Sequence, residues 1–282
     1  MPGAERLDER PALEAPNRAL LTVGVMMAMI VVMLDTTVAN VALPHMQAGL
    51  GATFDTVTWV LTSYIIGTAV AMPITGWLAD RIGSRRLFLL AVGGFVVTSM
   101  ACGIATHLEE MVLFRFIQGI AGAFIGPLSQ TVMLDINVPS RQARAMSVWG
   151  MGIMIGPIMG PIIGGWLTEN YNWRWVFYVN LPVGLIAFSL IWLFLPGKPL
   201  LRRNFDLFGF SVLAIALSAL QLMLDRGTDQ DWFQSTEIWI EAIVAASAAW
   251  VFIIHLLTKQ RAIIDRTLIA NGNMSMALLF QL

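Results

Sequence analysis

The sequence predicts an all-α protein that crosses a membrane many times. Three observations carry that expectation. Of 282 residues, 57% are hydrophobic and only 12% are charged, where a soluble domain carries about 25% charged residues. The apolar residues come in blocks of roughly 20, the length a helix needs to cross about 30 Å of hydrocarbon. Lysine and arginine then alternate strictly between the short loops that separate the blocks. The mean hydropathy of +0.73 agrees.

In chain order the blocks read as eight complete spans. They are Leu20–Leu43, Val57–Ala79, Leu87–Ala105, Met111–Leu134, Ala145–Leu167, Val176–Pro196, Leu207–Leu224 and Thr236–Leu257. A ninth is expected from Asn273 onward. The polar stretch ahead of the first span is mixed in charge. The first apolar run is too long for the core of a cleavable signal peptide, and no small-residue cleavage site follows it.

Positive charge sets the orientation. Of the 17 lysines and arginines, 14 fall in the N-terminal tail or in the loops after the second, fourth, sixth and eighth spans. Only Arg174 and Arg226 lie on the other side, and Arg115 lies inside the fourth span. The N-terminus is therefore expected in the cytoplasm.

Other classes find no support. A net charge of −1 gives no reason to expect nucleic acid as a partner. Cys102 is the single cysteine, and His45, His107 and His255 are scattered, so neither a disulfide framework nor a metal site is implied. No nucleophile elbow, phosphate loop or repeated ion-filter sequence is present. An enzyme or a channel is accordingly not expected, and neither is a cofactor.

Charges inside a span need a reason, because each costs about 2.5–3.5 kcal/mol on insertion scales. Asp35 lies in the outer half of the first span and Arg115 in the fourth. Counted from the outer ends of their oppositely running spans, their depths agree within about 6 Å at 1.5 Å per residue. They could face one polar cavity. Two readings stand: an ion pair that fixes packing (or an Arg115 that snorkels outward), and a transport role. A carboxylate poised between desolvation and a guanidinium suits a proton carrier, which favours transport. Thr36, Asn40 and Gln118 are the polar neighbours expected to support such a cavity. Glu241, one turn into the eighth span, reads more simply as a carboxylate favoured by a helix N-terminus.

Glycine and proline pattern the fifth span. Gly152, Gly156, Gly160 and Gly164 recur every four residues and form one stripe on a helix, which lets another helix approach closely. Pro157 and Pro161, each after a glycine, remove backbone donors and bend the helix. Ordinary small-residue packing explains the stripe, while the paired Gly-Pro steps favour a hinge or gate. The loop from Gly76 to Arg86 must turn tightly, with Gly83 available for positive φ. Asp80 closes a helix whose dipole disfavours a carboxylate there unless a cation pairs with it. Beside Arg81 and Arg85 it reads as a salt-bridge latch.

Together these stretches resemble the major facilitator superfamily. Gly76, Asp80, Arg81, Gly83 and Arg85 match its signature between the second and third helices, with Ser84 in place of a usual basic residue. Arg115, Gln118 and Gly119 are similar to the fourth-helix motif of proton-coupled members. Gly160, Pro161, Gly164 and Gly165, preceded by Gly156 and Pro157, are similar to the fifth-helix antiporter motif. Leu34-Asp35-Thr36-Thr37 through Pro44 resembles the first-helix motif of 14-helix drug/proton antiporters. Asn172-Trp173-Arg174-Trp175 through Asn180-Leu181-Pro182, with Leu224-Asp225-Arg226-Gly227, narrows the likeness to the EmrB-like branch of the EmrB/QacA family.

The resemblance implies a division of the chain. Residues 1–19 form a cytoplasmic tail. Residues 20–196 form an N-terminal six-helix half made of two inverted three-helix repeats. Residues 197–257 form a linker with two extra helices, and residues 258–282 a cytoplasmic loop and the start of a ninth helix. The chain is thus expected to be an N-terminal part of a longer transporter. Asp35 and Arg115 are then expected to couple protons, and the proton gradient to supply the energy. Amphipathic or cationic drugs are the expected substrates, exported through the inner membrane. A periplasmic adaptor and an outer-membrane channel are the partners such a branch implies. The alternative is an uptake permease for a metabolite, against which the Gly-Pro pairs of the fifth span argue.

Overall fold

Eight helical spans of membrane length succeed one another in the computed structural model, which describes residues 10–200, 205–228 and 230–259. They cover Arg18–Leu50, Phe54–Ile82, Ser84–Ile104, Leu108–Asp135, Pro139–Asn170, Trp175–Phe194, Leu207–Arg226 and Thr236–Thr258. Each predicted block falls on one of them. The helices mostly run further than the apolar blocks, and stop short only by one residue at Ala105 and by two at Pro196. The ninth span, expected from Asn273, lies outside the described residues.

The extra lengths have local causes. The first helix, α1 (Arg18–Leu50), starts where the Asn17 side chain accepts from the Leu20 amide at 3.1 Å, satisfying an otherwise orphaned donor. It passes through Pro44 and ends only at Gly51, which takes φ +63° and returns its N–H to Gln47. The sequence reading stops this span beside Pro44, but a proline removes only one helical hydrogen bond, and the flanking turns hold.

The second span is assembled from α2 (Phe54–Val57), α3 (Trp59–Ala71), a 3₁₀ turn at Met72–Ile74 that contains Pro73, and α4 (Thr75–Ile82). The third is α5 (Ser84–Ile104) and the fourth is α6 (Leu108–Asp135), which opens with Glu109 and Glu110 in its first turn. The fifth breaks at Met154 into α7 (Pro139–Ile153) and α8 (Ile155–Asn170). Pro157 explains the break: it has no N–H, and its ring crowds the carbonyl four residues earlier, at Ile153. The sixth comprises α9 (Trp175–Tyr178) and α10 (Asn180–Phe194). The last two are α11 (Leu207–Arg226) and α12 (Thr236–Thr258).

The chain divides into two compact units, Met1–Leu201 and Arg202–Leu282. In the first, helices of one predicted triplet pack chiefly on helices of the other: α1 on α8 and α10, α3 on α6, and α5 on α6 and α10. The two triplets thus interleave. The glycine stripe of the fifth span makes one of these contacts possible. A Cβ on Gly152 would meet Met26, on Gly156 Met33, on Gly160 Thr37, and on Gly164 Val38, all on α1. Two apolar cores result. One gathers Leu21, Val25, Phe88, Phe95, Met133 and Ile191, and the other Met46, Val60, Met111, Trp173 and Phe177. Along α1 they change over between Val32 and Leu34, next to Asp35.

In the second unit, α11 and α12 pack against each other. Asp206 caps α11 through the Gly209 amide at 3.2 Å. Its carboxylate also takes Nε2 of His255 at 2.8 Å and Nζ of Lys259 at 2.7 Å, both near the end of α12.

Candidate functional site: a sealed charge pair between the first and fourth spans

Asp35 and Arg115 meet. Nη1 of Arg115 donates to Oδ2 of Asp35 at 2.5 Å and to Oε1 of Gln118 at 2.8 Å. Nε of Arg115 donates to the Val60 carbonyl at 3.2 Å. The guanidinium lies 4.3 Å from the ring centre of Tyr64 and 5.8 Å from that of Phe177. Oδ1 of Asp35 accepts from Nε2 of Gln118 at 3.0 Å and from Nδ2 of Asn180 at 2.7 Å. Asn180 also donates to Oγ of Ser99 at 2.9 Å, and Ser99 donates to the Phe177 carbonyl at 2.9 Å.

The site is dry. Asp35 and Asn180 are 1% exposed, and Arg115, Gln118 and Ser99 are 0% exposed. Full burial removes the snorkelling reading of Arg115. A buried pair depends on hydrogen bonds to both ions: Val60 of α3 and Gln118 of α6 serve Arg115, Gln118 and Asn180 of α10 serve Asp35, and Nη2 of Arg115 has no hydrogen-bond partner among the described residues. Helix packing explains the convergence. Gly119 sits against the backbone of Tyr64, which draws α3 onto α6 and brings Tyr64 over the guanidinium one turn before it.

The other expected residues are placed as follows. Thr36 donates to the Val32 carbonyl at 2.9 Å, and Asn40, which is exposed, donates to the Thr36 carbonyl at 2.9 Å. Asn40 serves its own helix, while the Thr36 side chain also hydrogen-bonds that of Tyr64, whose ring lies over the guanidinium; neither touches the pair directly. Gln118 does bridge it. In the turn between the second and third spans, Gly83 adopts φ +94°, a region that favours glycine. Arg81 stacks over Trp77 at 5.1 Å, and Arg85 donates to the Trp192 carbonyl at 2.6 Å. Asp80 is half-buried on the last turn of α4, and Gly76 is exposed there. Pro161 lies inside α8, while Gly165 faces open space. Glu241 lies in the second unit, with Oε2 buried and unpartnered among the described residues.

Asn180 and Ser99 are absent from the sequence expectations. The stretch from Asn172 to Pro182 serves there only as a mark of resemblance. Its residues prove to be a wall of the site. Trp173 packs on Gly49. Arg174 donates to the carbonyls of Gly103 and Ala105, which close α5. Phe177 covers Arg115, and Asn180 reaches Asp35. A polar amide at the foot of an otherwise apolar span is the signal that points to it.

Eight membrane-length helices and an ion pair sealed among the first six define a multi-pass helical membrane protein. The chain belongs to the Major Facilitator Superfamily, whose family model matches residues 25–272. It is 40% identical over 271 residues to the Multidrug export protein EmrB of Haemophilus influenzae, covering 95% of this chain and 53% of that protein. It is 36% identical to the Escherichia coli K12 protein of the same name, covering 97% of this chain and 54% of that protein. It is 39% identical to the Fatty acid resistance protein FarB of Neisseria gonorrhoeae, covering 93% of this chain and 52% of that protein. The chain thus spans about half the length of the curated relatives it matches. Among solved structures, the peptide transporter POT in complex with sulfate superposes with a TM-score of 0.63 at 16% identity, over 89% of this chain and 55% of that one. The human organic anion transporter MFSD10 (TETRAN) gives 0.54 at 18% identity, over 74% of this chain and 55% of that one. These likenesses establish the fold.

Proposed function

We propose that this chain forms part of a proton-coupled exporter of amphipathic, often cationic compounds that works by alternating access. The observation that carries this reading is the Asp35–Arg115 pair, buried where the two interleaved triplets meet. A carboxylate held there changes the charge of the interior by one when it takes up a proton. That change costs or returns several kcal/mol in a low-dielectric site, enough to bias one arrangement of the helices over another. A cationic substrate and a proton compete for the carboxylate, and the competition couples their binding reciprocally.

Several features support the reading. The relatives bear names for multidrug export and fatty acid resistance, which favours export over metabolite uptake. The broken fifth span supplies a joint at Met154, and the turn around Asp80 and Gly83 ties the second, third and sixth spans at one end. The energetics are sufficient. One charge moved across 100 mV yields about 2.3 kcal/mol, and holding a hundredfold substrate gradient costs about 2.7 kcal/mol. One or two protons per cycle therefore suffice, with no bound cofactor. The protein sits in the inner membrane with its N-terminus in the cytoplasm. A periplasmic adaptor and an outer-membrane channel would complete the route outward.

Everted vesicles carrying the full-length protein test this. They should accumulate a cationic amphiphile when the lumen is acidified, and lose that accumulation in Asp35→Asn. Accumulation that persists after the proton gradient is collapsed would overturn proton coupling.

A further inference from the structure

The groups that touch the Asp35 carboxylate offer a proton no acceptor. Oδ2 faces Nη1 of Arg115, and Oδ1 faces Nε2 of Gln118 and Nδ2 of Asn180. All three are donors. Oδ1 already takes two donors and Oδ2 one, so a buried hydroxyl on either oxygen finds no acceptor among these groups unless one of them turns into one. Arg115 cannot, because a guanidinium has no acceptor. Gln118 is committed: its Oε1 already accepts from Arg115 at 2.8 Å and lies 3.6 Å from the Cys102 thiol. Inverting it would aim its amide hydrogens at the guanidinium.

Asn180 is different. Both amide hydrogens are used, one on Asp35 and one on Ser99, but Oδ1 is buried and has no partner among the described residues. Its acceptor is unspent. We propose that Asn180 reads the protonation state of Asp35, its side-chain amide donating to the carboxylate and inverting to accept from the carboxylic acid. The inference rests on the reading of Asp35 as the proton site. The proton comes from hydronium: one of its O–H bonds breaks as an O–H bond forms on Oδ1 of Asp35, a water molecule is left, and the new hydroxyl donates to Oδ1 of Asn180. The hydrogen bonds from the amide to Asp35 and Ser99 break in the same step.

The inversion has a structural consequence. Nδ2 of Asn180 is what Ser99 accepts, and Ser99 in turn donates to the Phe177 carbonyl. When the amide turns over, Ser99 meets an oxygen in place of an N–H, and its one hydroxyl hydrogen is contested between Asn180 and the Phe177 carbonyl. Asn180 therefore acts as a positioning residue that passes the charge state of α1 to the third and sixth spans.

Infrared difference spectroscopy on the full-length protein in lipid vesicles separates this inference from the reading beneath it. The protein carries side-chain ¹³C-asparagine, and spectra are taken between acidic and alkaline pH. A protonated-carboxyl band lost in Asp35→Asn reports the proton on Asp35. A labelled amide band lost in Asn180→Leu reports Asn180. The expected result is that both bands change together, with one midpoint, and that the amide change vanishes in Asp35→Asn. A carboxyl band that titrates while the Asn180 band stays fixed overturns the inference and leaves Asp35 as the proton site. Absence of the Asp35 band removes both. Should Asn180→Leu fail to fold, Asn180→Thr, which keeps a donor and an acceptor on one atom, assigns the same band.

Discussion

Gly160 of the fifth span lies directly against Thr37 of the first, so closely that a Cβ on the glycine would overlap the threonine hydroxyl and β-carbon. Gly165, one turn further along the same helix, faces open space. Two glycines of one motif therefore make different demands. Gly160→Val should cost about 1–3 kcal/mol, the usual penalty for overpacking, and should reduce transport. Gly165→Ala should change neither. Thermal unfolding of the solubilised full-length protein reads the first effect, and equal midpoints for the two variants would argue against the close approach.

Asp35→Asn keeps the size of the side chain and removes its charge. Drug affinity measured against pH should slope in the full-length wild type and be flat in this variant, by reciprocal linkage between proton and drug. Identical pH dependence in the two proteins would move the coupling to another acid.

Asp80→Asn acts elsewhere. Asp80 lies on the last turn of α4, beside the turn at Gly83, whereas the charge pair is buried among the helices. The variant should slow the transport cycle several-fold while drug binding stays within about twofold, the change produced by roughly 0.4 kcal/mol. Normal turnover with weakened binding would exclude a role in conformational exchange.

Orientation can be read with impermeant thiol labels on single-cysteine variants in intact cells. Ser84→Cys and Gln142→Cys should be protected, and Thr106→Cys and Gln230→Cys should react, as the split of positive charge requires. Reaction at all four would mean that a span has been misplaced.

The carboxylate of Asp206 joins the two ends of the α11–α12 hairpin. Burial pushes its pKa up, but hydrogen bonds from Lys259, His255 and the Gly209 amide outweigh this and hold it below the ordinary carboxylate value. A depressed value means the tie contributes stability above the unfolded value, about 3.9, and loses it as pH falls further. Amide protection in the first turn of α11, corrected for the intrinsic pH dependence of exchange, should drop below about pH 4. In Asp206→Asn it should be low already at neutral pH.

What the sequence disclosed and what it withheld have a common physical origin. The spans were legible because hydrocarbon imposes one length and forbids stray charge, and the same rule picked out Asp35 and Arg115. Counting residues from the span ends placed the two at matching depths, and the structure brings them into contact. Asn180 was not legible because an uncharged amide at the start of a span is cheap. Only the tertiary approach of α10 to α1 and α5 gives it partners, Asp35 and Ser99. Thr36 and Asn40 illustrate the opposite. They lie close to Asp35 in sequence, but a helix turns successive residues about 100° apart, so Asn40 bonds its own backbone and Thr36 bonds its own backbone and Tyr64 rather than the carboxylate. The extension of α1 past Pro44 could not be read either, since a proline inside a helix and one that ends it look alike in sequence.

Because Asp35 is 1% exposed, a proton site there, as proposed above, would be a form of memory. The carboxyl would keep whatever state it had when the helices last parted, however the pH outside changed meanwhile. A transporter built on such a site would record the side of the membrane it last faced. It could discharge that record only by moving, and protons would then not leak down their gradient without cargo.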